Sequence, residues 1–143
     1  RLPEVATPVA AYVPAVRTGK YVYTSGQLPI VEGVLQAKGK VGEGEGLVSP
    51  EDAYQYARTC ALNALAAVAS VAGGLDQVAR VVKVVGFVAS DPSFTGQPAV
   101  VNGASELLGE VLGDAGRHAR SAVGVAVLPL DAPVEVELVV ELH

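Results

Sequence analysis

The stretch VEVELVVEL, Val134–Leu142, decides the fold. Val134, Val136, Leu138, Val140 and Leu142 point one way, and Glu135, Glu137 and Glu141 point the other. A period of two is the pattern of a β-strand with one buried face. The valine-leucine face needs a helix layer beneath it. The carboxylate face needs solvent, a partner charge or a neighbouring subunit.

The helices that supply the layer are legible upstream. In Ser49-Pro50-Glu51-Asp52, the serine can cap, the proline suits the first helical position, and the acids suit the positive end of the helix dipole. This helix is expected to run to Ala72, where Gly73-Gly74 stops it. Gln55, Thr59, Asn63 and Ser70 form a narrow polar stripe on an otherwise apolar, largely buried cylinder. A second helix is expected at about 98–112, with Val101, Ala104, Leu107, Leu108, Val111 and Leu112 as its apolar stripe and Gly113 as its end.

The remaining strands follow from short apolar runs. Residues 11–17 and 21–25 are joined by Thr18-Gly19-Lys20, a hairpin signal, and 28–30 extend the second run. Glu32-Gly33 is a turn, and residues 34–40 read as a third, edge strand. Residues 42–46 alternate glycine with glutamate and read as a mobile loop. Residues 81–89 form a strand apolar on both parities, residues 119–128 form another, and 129–133 are a loop. The order β-β-(β)-α-β-α-β-β predicts an α+β domain: a two-layer mixed sheet with two helices on one face. No helix is left for the other face, and a further copy of the chain is the economical cover.

Size and composition bound the rest. The 143 residues, at 14.5 kDa, suit a single domain over 1–143. Hydrophobic residues at 50% against 17% charged exclude a disordered chain. The net charge of −5 comes without a basic stripe, so nucleic acid is not an expected partner. One cysteine, Cys60, excludes an internal disulfide, and two histidines leave no metal-ligand cluster; no metal is expected. No apolar run reaches the roughly 20 residues that span a bilayer, so no membrane partner is expected. No signal peptide is legible, and the cytoplasm is the expected compartment.

Several residues can carry chemistry. Arg120 opens one strand and Glu135 opens the next, fifteen positions on. If those strands are neighbours, the pair approaches at one sheet edge. Arginine presents a fork that matches a carboxylate, and glutamate can activate a water as general base. Spacing alone favours an ordinary ion pair or two solvated charges. Ser25-Gly26 follows a strand and can bring a hydroxyl and an exposed amide to a ligand, although a bulge explains it equally. Asn102 can reach a ligand or simply be solvated, and Tyr12 can be a lid or hairpin packing. Cys60 has no basic neighbour and reads as a structural thiol. His118, in a loop without a clear partner, reads as a surface residue.

Taken in order, GKYVYTSGQLP (19–29), EDAYQYARTCALNALAAV (51–68), VVKVVGFVAS (81–90), VVN (100–102) and ARSAVGVAVLP followed by VEVE (119–129 and 134–137) resemble the RidA (YjgF-type) family of reactive-intermediate deaminases. The resemblance covers about residues 8–142. It implies a chorismate-mutase-like fold and a homotrimer whose sheets form a central barrel, with clefts between subunits. It implies cofactor-free hydrolysis of small enamine or 2-imino acids to 2-oxo acids and ammonia; the alternative is a non-catalytic binder of small carboxylate metabolites in the same cleft. By resemblance, Arg120 matches the arginine that holds the substrate carboxylate and Glu135 the glutamate that positions water. Tyr12, Ser25, Gly26, Asn102 and Ala122 match pocket positions. The sequence departs from the family pattern at Ala122, where many members have Cys, at Gly124, where many have Glu, and in a longer 31–47 loop.

Overall fold

A computed structural model describes residues 1–8 and 11–143. Four strands come first: β1 (Ala15–Thr18), β2 (Tyr21–Thr24), β3 (Ile30–Val31) and β4 (Val34–Leu35). Helix α1 (Pro50–Ala72) follows, then β5 (Val78–Ala89), α2 (Gln97–Leu112), β6 (Ala119–Val125) and β7 (Val134–Leu142). The sheet order is β1-β2-β7-β5-β6, with β5 and β6 parallel and the other pairs antiparallel.

Local chemistry sets these bounds. The backbone N–H of Asp52 donates to Ser49 Oγ at 3.1 Å, and Gly73 closes α1 in the left-handed region at φ +88°. Both helices lie on one face. The buried parity of β7 meets α1, and Val84, Gly86 and Val88 of β5 lie beneath α2. Small residues make the approach close. A Cβ on Gly86 would stand 2.5 Å from Val101 Cγ2, and one on Gly103 would stand 2.1 Å from the Tyr54 carbonyl. The helices are tied on their outer side by an Arg58–Glu110 ion pair at 2.7 Å and a Tyr54–Glu106 hydrogen bond.

The other sheet face is bare. Val16, Tyr21, Tyr23, Val82 and Val123 are exposed there. A register shift between Val81 and Lys83 explains why β5 looks apolar on both parities.

The structure corrects three expectations and locates the root of a fourth segment. The edge strand over 34–40 does not form. Glu32 and Gly33, at φ +50° and +81°, fold the chain back sharply, so β4 pairs with β3 and not with the main sheet. Residues 11–14 precede the ladder, because the carbonyls of Val13 and Pro14 accept from Ser25. Residues 126–128 leave the sheet because β5 ends opposite Val125. The 42–46 loop is pinned at its root: Val41 is fully buried, its N–H donates to Ala89 O, and its carbonyl accepts from Asp91 N.

Candidate active site

Two groups of polar residues stand at separate places on the sheet. The first is the corner after β2. Ser25 donates its hydroxyl to Val13 O at 2.6 Å and its N–H to Pro14 O at 2.8 Å. Gln27 exchanges both backbone hydrogen bonds with Val136. Gly26 is thereby laid against the start of β7, where a Cβ would fall 1.7 Å from Glu135 Oε2. Only glycine leaves room for that carboxylate. Asn63, buried on α1, donates to Leu28 O and Ile30 O at 3.0 and 2.9 Å and holds the far side of the corner. Glu135 is half-buried. Burial pushes its carboxyl above the usual value of 4.5, and the charge of Glu137 adds to the effect. Tyr12, next in sequence to the Val13 that Ser25 binds, is 46% exposed.

The second group is centred on Arg120, at the start of β6 on the helix side. Its Nη1 donates to Asn102 Oδ1 at 2.8 Å and to Ser105 Oγ at 3.1 Å, and its Nη2 donates to Pro98 O at 3.1 Å. All three acceptors are neutral and lie on one face of the first turns of α2. No carboxylate of the described residues pairs with it. Among the described residues, Nε and the second hydrogen of Nη2 meet no acceptor, and these two nitrogens share an edge of the guanidinium. That edge is the fork that takes a carboxylate in two parallel hydrogen bonds. Ala122, two residues along the same side, is half-buried against the core. Gly124 continues the row, and a Cβ there would stand 2.8 Å from Gln97 Nε2, so Gln97 takes the space a side chain at 124 would need.

The structure thus brings Arg120 together with Asn102, and Glu135 together with Gly26, while Ser25 bonds to the chain before β1. It does not bring the two groups together within one chain. β6 and β7 are not neighbours, because β5 lies between them. Arg120 is in register with Val84 and Glu135 with Phe87, so the two are two strands and three residues apart, about 14 Å along the sheet, and on opposite faces. The approach expected from adjacent strands is corrected accordingly.

His118 is also corrected. Both ring nitrogens are engaged, Nε2 with Ser105 Oγ at 2.8 Å and Nδ1 with Gly116 O at 2.6 Å. Ser105 went unread in the sequence, although its spacing of three from Asn102 puts it on the same helix face. Cys60 is buried among alanines, its thiol pushed up by burial first and then by Glu135, as a structural thiol should be. No helix among the described residues is long and apolar enough to cross a membrane.

A two-helix layer on a mixed sheet, with one bare sheet face, is the chorismate-mutase-like α+β fold. The family model described as "YjgF/chorismate mutase-like, putative endoribonuclease" matches residues 1–142. The chain is 45% identical to Protein TCP17 of Trypanosoma cruzi, an alignment covering 100% of this chain and 88% of that protein. It is 43% identical to the protein Atu1372 of unknown function from Agrobacterium tumefaciens, with a TM-score of 0.89 over 99% of this chain and 86% of the other. It is 25% identical to Escherichia coli TdcF, solved with bound serine, with a TM-score of 0.68 over 100% of this chain and 94% of the other. The chain belongs to the YjgF/RidA family.

Proposed function

We propose that this protein hydrolyses small 2-imino acids and their enamine tautomers to 2-oxo acids and ammonia, without a cofactor, in clefts between subunits of a homotrimer. The observation that carries the reading is the state of Arg120. A half-buried guanidinium is held by three neutral oxygens and, among the described residues, has no counter-ion and no partner for Nε or for the second hydrogen of Nη2, which share one edge. Such a group is built to receive a small carboxylate. The serine bound to TdcF is a molecule of that class.

In the proposed mechanism, Arg120 holds the substrate carboxylate and so orients the adjacent C=N bond. Glu135, on the neighbouring subunit, takes a proton from water as the oxygen attacks the imine carbon. Returning that proton from Glu135 to the nitrogen gives a neutral carbinolamine. Glu135 then takes the carbinolamine hydroxyl proton and passes it to the nitrogen as the C–N bond breaks, so that ammonia leaves and the C=O of the 2-oxo acid forms. The raised proton affinity of Glu135 suits a group that must both take and return a proton. The bare face with Tyr21, Tyr23, Val82 and Val123 supports assembly through that face, which would form the central barrel.

The test couples the protein to a threonine dehydratase and follows the loss of 2-iminobutanoate. Arg120→Ala is expected to remove the acceleration, losing at least about 1.5–3 kcal/mol of binding to the transition state, with the oligomer unchanged. Parent-rate clearance by that variant would overturn the assignment. Binding of 2-oxobutyrate by the wild type with no acceleration would make the protein a carboxylate binder instead.

A further inference from the structure

Gly116 is buried, and a Cβ on it would stand 2.4 Å from Leu108 O. Glycine therefore lets the short turn Gly113–Gly116 press against the end of α2. That contact places the Gly116 carbonyl 2.6 Å from Nδ1 of His118. A carbonyl only accepts, so in a neutral imidazole the ring proton sits on Nδ1 and Nε2 offers a lone pair. The Ser105 hydroxyl, 2.8 Å away, donates to that lone pair. Its oxygen is then left to accept from Arg120 Nη1 at 3.1 Å. Each donor in this relay has one direction, running from Arg120 through Ser105 and His118 to the backbone of Gly116.

On the reading of Arg120 as the carboxylate-binding group, we infer that Ser105 and His118 are positioning residues that hold its Nε–Nη2 edge open to substrate. Neither touches that edge. Their effect passes through Nη1, where Ser105 and Asn102 consume both protons. Without His118, the Ser105 hydroxyl has no fixed acceptor and turns. Without Ser105, the Nη1 side loses half its restraint, and a flexible arginine has to be ordered by the ligand itself.

The experiment uses full-length wild type, Ser105→Ala, His118→Ala, the double variant and Ser105→Thr. Three readouts are taken: 2-oxobutyrate affinity, kcat and KM for 2-iminobutanoate, and the rotation rate of the Arg120 Nη groups by nitrogen-detected NMR. The single alanine variants are expected to weaken 2-oxobutyrate binding and raise KM about tenfold, with kcat within about twofold. The double variant is expected to be no worse than Ser105→Ala, since one chain of hydrogen bonds is broken once. Ser105→Thr, which keeps the hydroxyl, retains wild-type affinity. Nη rotation accelerates in both single variants. Unchanged affinity and rotation in them, or additive losses in the double variant, overturn the relay while the deaminase reading stands. A wild type that neither binds 2-oxobutyrate nor clears the imine overturns the deaminase reading, and with it the relay's role in substrate binding.

Discussion

Glu135 and Gly26 show how one missing methyl group sets a carboxylate's environment. The corner lies so close to β7 that only hydrogen at position 26 leaves the Glu135 side chain in place. There it is half removed from water, which disfavours its charge. Two consequences can be measured. The acid limb of kcat/KM is expected to lie above pH 4.5, because the basic form of Glu135 is lost as pH falls through its raised value; a limb at or below 4.5 would contradict the role of burial. For stability the sign is opposite. The folded protein binds this proton more tightly than the unfolded chain, so the contribution is full below 4.5 and is lost as pH rises through the raised value. Glu135→Gln should therefore abolish turnover yet unfold at higher temperature than wild type at neutral pH.

At the scale of elements, the helix pair is held by proximity more than by its surface charges. Gly103 lets α2 ride on the backbone of α1 at Tyr54. Gly103→Ala forces apart two helices that cannot yield locally, and is expected to cost about 1–3 kcal/mol, lowering Tm by several degrees. The Arg58–Glu110 pair is bidentate but 26% and 58% exposed on its two sides, so Arg58→Ala is expected to cost less than about 1 kcal/mol. Thermal melts of the two variants should rank them in that order. The reverse order would mean the exterior ties dominate.

At the scale of the whole molecule, the two residues proposed to form the site, Arg120 and Glu135, lie on opposite faces of one sheet. A single chain cannot close a site between them. β6, which carries Arg120, is an edge strand, and Glu135 belongs to the bare face. If neighbouring copies supply the two halves, Arg120→Ala and Glu135→Gln chains should complement one another. Each is inactive alone, and after mixed reassembly about one cleft in four pairs an intact arginine with an intact glutamate. Recovery of about a quarter of wild-type activity is the expected result. No recovery would place both groups in one subunit.

The alternation in Val134–Leu142, the Ser49-Pro50 cap and the Gly73-Gly74 stop made the two-layer fold and its element order legible, because each is a local signal read at a period of two or at a helix end. Arg120, Glu135, Ser25, Gly26 and Asn102 stood out for the same kind of reason, as residues at or near the ends of strands and helices, where a side chain or an exposed amide can reach a ligand. Strand neighbours did not. That β5 separates β6 from β7, and that Arg120 and Glu135 face opposite ways, depends on pairing between residues far apart in the chain. Ser105 and His118 were likewise hidden, since thirteen residues and the Gly116 turn lie between the two ends of that hydrogen bond. Local periodicity determined what each segment is; only long-range packing decided which side chains meet, because hydrogen-bond partners are chosen by the closed shape and not by neighbours in sequence.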